Sequence, residues 1–272
     1  MQKKILKLNP LAVHFNNGFI TKEALSNLNN MTIRLGVDFI SHSISSDFLR
    51  KLMKLFFKEN GEFCTPCNRG KKYIAYKFAI ENNINLVLLG FSYAMDKNHM
   101  TDDFNDKFDR GESLFSEIVK NQLSENEVQH YKAYLDLESI STSEVQMVHL
   151  PDFIDFDYNK INDVLINELC WSHPEGQFFH GDCYLNPFVD HLIHCRFGYS
   201  EKQVFISNLI KSGYIDKTKG KDLVNSERIT QSPEKAIEYI QRAFKMDRSE
   251  IDSIVNNQWK KATDRPQASV TS

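Results

Sequence analysis

Residues 11–19 have the sequence LAVHFNNGF, a compact apolar run followed by a turn. The segment Leu11–Phe15 predicts a buried strand, and the Asn-Asn-Gly after it predicts the turn that ends the strand. A second apolar run, INLVLL, spans residues 84–89 and stops at Gly90. Because the strands of a parallel sheet are covered on both faces, such runs favour an α/β fold with an open parallel sheet.

Helical patterns separate these strands. Residues 21–35 carry apolar side chains at helical spacing, with a threonine at the start and a glycine after the end, and residues 37–44 predict another strand. Residues 47–57 and 71–82 also have helical spacing, whereas residues 61–70, which contain two cysteines, predict a loop. This alternation predicts right-handed crossovers between parallel strands.

The second half of the sequence is mostly helical in pattern. A short strand is predicted at 145–150, and helices are predicted at 159–169, 187–197, 201–212, 233–244 and 249–259. We therefore divide the chain into an α/β domain, a helical C-terminal region and a polar, disordered tail, with the boundaries 1–150, 151–260 and 261–272.

Composition limits the function classes. The 272 residues are 41% hydrophobic and carry a net charge of -3, with a pI near 6.3. Such a chain has no overall positive field, which argues against a nucleic-acid partner. No apolar run reaches the roughly 20 residues of a bilayer span, and no signal peptide is evident, so we expect a cytoplasmic protein without a membrane span.

Two short cysteine motifs suggest a metal site. Cys64-Thr-Pro-Cys67 and His180-Gly-Asp-Cys183 together offer three thiolates and one imidazole, a tetrahedral set suited to structural zinc. The five cysteines are an odd number in a fairly large chain, which favours a reducing compartment over disulfides. His173 is the alternative fourth ligand. The motifs also fit isolated thiols or a redox pair.

The ends of the strands suggest a ligand site, because open parallel sheets bind ligands beyond the carboxyl ends of their strands. The predicted nucleotide contacts at these ends are Asn16, Asn17, Gly18, Gly90 and Ser92. The alternative is that all of them are simply turn residues.

The order of the motifs adds a family resemblance. It is carried by LAVHFNNGF, the strand FISHSI, the C-x-x-C before a helix, INLVLLGF, and then WSHP, HGDC, RFGYSEK and SNLIKSG at residues 171–174, 180–183, 196–202 and 207–213. In this order they resemble the PP-loop ATP pyrophosphatase superfamily, in its branch of N-acetyl sugar amidotransferases of lipopolysaccharide biosynthesis. The resemblance covers residues 5–257.

The resemblance implies a chemistry and a fold of the adenine-nucleotide alpha-hydrolase type. Such enzymes use ATP and Mg²⁺ to adenylate an oxygen-bearing carbon and release pyrophosphate. Ammonia from a glutaminase subunit then attacks, giving an amidine or amide on a sugar nucleotide or glycan precursor. By this resemblance Arg196 and Lys202 bind sugar or phosphate, and Asp96 binds magnesium.

The sequence departs from the family at the phosphate-binding loop. The family's Ser-Gly-Gly-x-Asp-Ser loop follows a central first strand, and this motif does not occur in the 272 residues. Residues 1–8, MQKKILKL, resemble the end of the helix after that loop. We therefore expect an N-terminally truncated domain, inactive by itself, whose remaining strands lack a central partner. A misassigned start, a split gene or a decayed gene would each explain it.

Two other functions fit the same residues. One is a non-catalytic, zinc-stabilised remnant or partner subunit. The other is a tRNA-thiolating PP-loop enzyme, which uses the same activation with a sulfur donor. The acidic pI and the lack of a basic stripe count against the second, because phosphate contacts need clustered Lys and Arg.

Overall fold

The structure is a computed structural model that describes residues 7–90, 114–140, 144–154, 157–172, 181–211, 213–226 and 233–263. It is a mixed α/β protein with short parallel strands in its first half and a helical C-terminal region, which confirms the predicted fold class. No helix within these ranges is both long and apolar enough to cross a bilayer.

The first half contains the strands. Its elements are β1 (Leu11–Phe15), α1 (Lys22–Leu35), β2 (Asp38–His42), α2 (Ser46–Asn60), α3 (Cys64–Glu81), β3 (Leu86–Leu89), α4 (114–122), α5 (Glu125–His130), α6 (Lys132–Leu135) and β4 (Gln146–His149). A 3-10 turn at Leu150–Phe153 follows β4.

The second half is helical. Its elements are α7 (Tyr158–Asp163), which runs into a π-helical turn at Val164–Glu168, and then α8 (Asn186–Phe197), α9 (Glu201–Lys211), α10 (Lys217–Ser226), α11 (Glu234–Phe244) and α12 (Arg248–Thr263).

The predicted loop at 61–70 is wrong, because α3 already begins at Cys64. The carboxylate of Glu62 supplies the cap: its Oε2 accepts from the backbone N–H of Cys64 at 2.6 Å and of Thr65 at 3.0 Å. Pro66 lies in the first turn, where a missing N–H costs no helical hydrogen bond. Both cysteines of the C-x-x-C motif therefore lie in the first turn of a helix.

The described strands form two parallel pairs rather than one continuous sheet. β1 pairs with β2 from Leu11 opposite Asp38 onward, and β3 pairs with β4. Helix α3 packs against both β1 and β3. Although the strands are apolar, only Phe15 is buried, and Leu86 is 40% exposed. Two-stranded sheets are marginally stable alone, so packing on helices supports these pairs.

Aromatic packing joins the two halves in one core. Phe63 stacks on Phe57 with a ring-centroid distance of 4.4 Å and on Phe244 of α11 at 5.2 Å. Phe19, which is 1% exposed, stacks on the same Phe244 at 5.6 Å. Phe188 of α8 meets Phe57 edge-on at 5.8 Å. Because burying each ring contributes about 2–3 kcal/mol, the halves form one folding unit.

A smaller cluster covers the other side of α2. Phe48 stacks on Tyr131 at 3.7 Å, and Phe56 packs near Phe115 at 5.7 Å. The hydroxyl of Tyr134, buried in this cluster, donates to the carbonyl of Pro66 at 2.8 Å. This hydrogen bond fixes the first turn of α3 relative to α6.

The close approach of α3 to β1 generates a stability prediction. A Cβ at Gly70 would lie 2.3 Å from the Phe15 ring. In an ordinary helix Gly→Ala gains about 1 kcal/mol, but here the clash with a buried ring should reverse the sign. We expect Gly70→Ala to destabilise the protein by about 1–3 kcal/mol in urea unfolding.

Gly90→Ala is the matched control, because a Cβ there meets nothing within 4 Å. Adding Phe15→Leu to Gly70→Ala should recover part of the lost stability. An unchanged or higher unfolding midpoint for Gly70→Ala alone would contradict this packing.

Candidate functional site

A short antiparallel contact brings the C-terminal region to the end of β1. Ile20 bridges Cys183. The N–H of Thr21 donates to the carbonyl of Asp182 at 3.0 Å, and the N–H of Tyr184 donates to the carbonyl of Phe19 at 2.8 Å. We call this contact between residues 19–21 and 182–184 the seam. It fixes Asp182 and Cys183 beside the carboxyl end of β1.

The Asn-Asn-Gly turn lies between β1 and the seam. The Oδ1 of Asn16 accepts from the N–H of Gly18 at 3.0 Å, and the Oδ1 of Asn17 accepts from the N–H of Phe19 at 2.9 Å. Gly18 has a φ of +78°, a conformation that favours glycine. The predicted turn is confirmed. Both amide oxygens hold the turn, while the NH₂ of Asn16 has no partner among the described residues.

Two thiols lie beneath this turn. The side-chain amide of Asn17 donates to the Sγ of Cys67 at 3.6 Å. Burial raises the pKa of the Cys67 thiol to about 11, while Asn17 and Lys71 act in the opposite direction. Burial, with a smaller effect from neighbouring Cys67, raises the pKa of Cys183 to about 12, while a backbone hydrogen bond from Leu185 acts in the opposite direction. Both thiols are therefore protonated at neutral pH. Cys64 packs on the edge of the same core.

Charged groups surround the same end of β1. Burial lowers the pKa of His14; Lys71 of α3 lowers it further, and Asp182 of the seam raises it. Lys71 and Asp182 also act on the pKa of both buried thiols. These groups form one set, which we call the strand-end cluster: His14, Asn17, Cys67, Lys71, Asp182 and Cys183. Sequence reasoning selected neither Lys71 nor Asp182: Lys71 belongs to no motif, and Asp182 lies within the His180-Gly-Asp-Cys183 motif but was not assigned a role.

The strand-end cluster contains donor groups that suit zinc, since thiolates bind zinc well. Within the described ranges, however, no three His, Cys, Asp or Glu side chains come close enough together to hold an ion. The predicted ligand His180 and its alternative His173 both lie outside the described residues. The structure therefore brings Cys67 and Cys183 together, and the zinc site stays a prediction.

The other predicted site residues lie elsewhere. Gly90 is an exposed residue after β3, in the other strand pair. Ser92 and Asp96 lie outside the described residues. Arg196 belongs to α8, and its side chain is not described; Lys202 lies in α9 and is only 8% exposed. Their predicted roles in binding stay predictions.

The C-terminal region has a recognisable relative. Residues 176–269 match the family model described as LPS biosynthesis protein WbpG-like, C-terminal domain. No curated protein matches the chain. The resemblance to proteins of surface-polysaccharide biosynthesis is thus confirmed for this region, whereas membership of the PP-loop superfamily stays a prediction. The matched segment contains Asp182 and Cys183, so it supplies part of the strand-end cluster.

The Phe-Gly and Ser-Gly motifs within this segment serve the fold. Gly198 ends α8 with a φ of +76°, and Gly213 follows α9 with a φ of +75°. At the start of α9, the Oγ of Ser200 accepts from the N–H of Gln203 at 3.2 Å, and the Oε1 of Gln203 accepts from the N–H of Ser200 at 2.8 Å. This reciprocal cap fixes where α9 begins.

The buried thiols generate a reactivity prediction. Because the pKa of Cys67 is about 11 rather than 9.0, about a hundredfold less of it is thiolate at pH 8. Alkylation by iodoacetamide, followed by peptide mass spectrometry, should therefore modify exposed Cys170 long before Cys67 or Cys183. In urea the difference should vanish. Equal rates for Cys67 and Cys170 in the folded protein would contradict the burial of this site.

Proposed function

We propose that the chain belongs to an ATP-dependent, adenylating amidotransferase of surface-glycan biosynthesis. ATP with Mg²⁺ would adenylate the carbonyl oxygen of an N-acetyl sugar. Ammonia from a glutaminase partner would then displace AMP. The substrate would be a sugar nucleotide or glycan precursor, and the strand-end cluster would face it.

One observation carries this proposal. The segment that matches a domain of lipopolysaccharide-biosynthesis proteins contributes Asp182 and Cys183 to the carboxyl end of β1 through the seam. In open α/β folds the carboxyl ends of parallel strands are where ligands bind. The surface-glycan domain and the general ligand position of the fold therefore meet at one place in the molecule.

The strand pairs support the PP-loop part of the proposal. In that family a central first strand precedes the phosphate loop. If this strand were missing, the strands on its two sides would form two separate parallel pairs. Their apolar side chains would then be incompletely covered. The described strands have both properties. We propose that the strand and the Ser-Gly-Gly-x-Asp-Ser loop come from residues outside this sequence, whether in a longer form of the chain or in a second polypeptide.

Within the chain, Lys71 is the residue we assign to substrate charge. It is exposed, it lies one helical turn after Cys67, and its electrostatic influence reaches His14, Cys67 and Cys183. The substrate would carry phosphate, and an ammonium at the mouth of the site would attract it. The adjacent cation on α3, Lys72, is not among the charges that shift the pKa of these three groups.

The activity test follows directly. Pyrophosphate release from ATP would be measured with Mg²⁺, UDP-N-acetylglucosamine as the probe sugar, and ammonium chloride. The assay would compare the 272-residue chain with the same chain extended by its upstream reading frame. We expect release from the extended form, dependent on sugar and ammonium, because it supplies the backbone donors for pyrophosphate. The proposal would be contradicted if neither form released pyrophosphate, or if the release did not depend on the sugar.

A matched pair of lysines tests the assignment within the site. Lys71→Gln should raise the KM for the sugar nucleotide about 10- to 100-fold, the size of one lost charge-assisted contact. Lys72→Gln changes the adjacent lysine of the same helix and should leave KM near the wild-type value. Equal effects of the two substitutions would remove Lys71 from the site.

The zinc site predicted from the sequence has its own test. Cys67 and Cys183, with the predicted Cys64 and His180, would hold the ion, which would stabilise the fold rather than act in a step. Binding must deprotonate thiols whose pKa values are about 11 and 12. Calorimetry at pH 7 in buffers of different ionisation enthalpy should therefore show release of about two protons or more per zinc.

Serine substitutions locate that ion. Cys67→Ser and Cys183→Ser should lose zinc in elemental analysis of the purified protein. Cys195→Ser, on α8, should retain it. Zinc content that does not depend on Cys67 and Cys183, or a wild-type protein without zinc after growth with it, would contradict the assignment.

A further inference from the structure

Residues from three other elements act on His14. Its Nδ1 lies 3.1 Å from the Oγ of Ser41 on β2, and its ring stacks on Phe39 with a centroid distance of 6.4 Å. Lys71 of α3 and Asp182 of the seam act on it from the other sides. These contacts orient the imidazole and leave its Nε2 without a partner within the described part of the chain.

The neighbours of His14 are less suited to accept a proton. Burial keeps Cys67 and Cys183 protonated. The carboxylate of Asp182 accepts from the side-chain amide of Asn186 at 3.0 Å. Lys71 is a cation whose Nζ donates to Asn68 at 3.3 Å. Among the residues of the strand-end cluster, the imidazole thus remains as the group with an open acceptor nitrogen.

We propose that the Nε2 of His14 is the proton acceptor of the amidation step, which rests on the proposed function. In that step the nitrogen of ammonia forms a bond to the adenylated carbon. The bond from that carbon to the bridging oxygen breaks, and AMP leaves with the electron pair. The new nitrogen substituent, cationic after the attack, gives one proton to Nε2. The imidazolium then returns the proton to solvent, to which the His14 side chain is partly exposed.

The surroundings of His14 favour this role at neutral pH. Burial and Lys71 hold the pKa of His14 below its usual 6.5, so the ring is uncharged and able to accept. The negative charge of Asp182 acts in the opposite direction and favours the imidazolium when it forms. For Nε2 to be the acceptor, the Nδ1–H must donate to Ser41.

The protonation state of the His14 ring can be tested without an activity assay. Nitrogen-15 NMR of labelled histidine in the 272-residue chain should show the Nε2 of His14 unprotonated at pH 7.5 and a pKa below 6.5. Lys71→Gln should raise this pKa, and Asp182→Asn should lower it further. A protonated Nε2 at pH 7.5, or a pKa of 6.5 or above, would overturn the proposal.

The kinetic test separates adenylation from amidation in the form of the protein that carries the phosphate loop. His14→Gln should leave ATP–pyrophosphate exchange, the reverse of adenylation, unchanged. It should reduce ammonia-dependent product formation at least about a hundredfold, as loss of a general base does. In the profile of the amidation rate against pH, the rise that reports deprotonation of His14 should also disappear. His130→Gln, an exposed histidine on α5, is the matched control and should behave as wild type.

The outcomes distinguish the two claims. If His14→Gln retains both ATP–pyrophosphate exchange and the wild-type rate of amidation, the role of His14 is overturned. The proposed function would still stand. Loss of exchange and amidation together in a folded variant would also overturn the role of His14, since His14 would then act before the attack. Absence of exchange in the wild type would instead contradict the proposed function itself.

Discussion

The seam between residues 19–21 and 182–184 is the constraint on which the rest of the structure depends. Its two backbone hydrogen bonds, Thr21 to Asp182 and Tyr184 to Phe19, contribute about 1 kcal/mol each. Phe19 buries its ring against Tyr239 and Phe244 from α11, which contributes about 2–3 kcal/mol. The two contributions are similar in size, and the hydrogen bonds also set the register. Together they hold the helical region against the end of β1.

This arrangement changes the meaning of the cysteine motifs. The spacing of the motifs predicts a zinc site whose ligands, Cys64, Cys67, His180 and Cys183, come from both halves of the chain. The aromatic core and the seam already join the two halves of the chain without a metal ion. An ion at Cys67 and Cys183 would add stability to a contact that exists for other reasons. The same contact brings Asp182 to His14 and Lys71 at the strand end, where chemistry is proposed.

Local signals explain what the sequence predicted. The apolar run of β1 and the Asn-Asn-Gly after it act over neighbouring residues, and the strand and the turn are confirmed. The strand was predicted to be buried, however, and only Phe15 of it is. The start of α3 was missed because its cap is a carboxylate two residues ahead of Cys64 rather than a residue at the usual capping position. Helix α5 was missed although Ser124 and Glu127 form a capping box, a pattern present in the sequence.

Long-range pairing explains what the sequence could not predict. Residues about 160 positions apart meet in the seam, and no local periodicity encodes that pairing. Asp182 gains its place in the site only through the seam, and Lys71 gains its place through the packing of α3 on β1, so both resemble ordinary surface charges in the sequence. The separation of the strands into two pairs likewise depends on tertiary packing, whereas each strand taken alone was predictable.

Native-state hydrogen exchange at the amides of Thr21 and Tyr184 tests the seam most directly. If the seam belongs to the common core, both amides should exchange only through global unfolding, with the same opening free energy as the amide of Leu49 inside α2. Exchange of Thr21 and Tyr184 at a much lower opening free energy, while Leu49 stays protected, would contradict the account. The C-terminal region would then detach from β1 by itself, and the strand-end cluster would not be a fixed site.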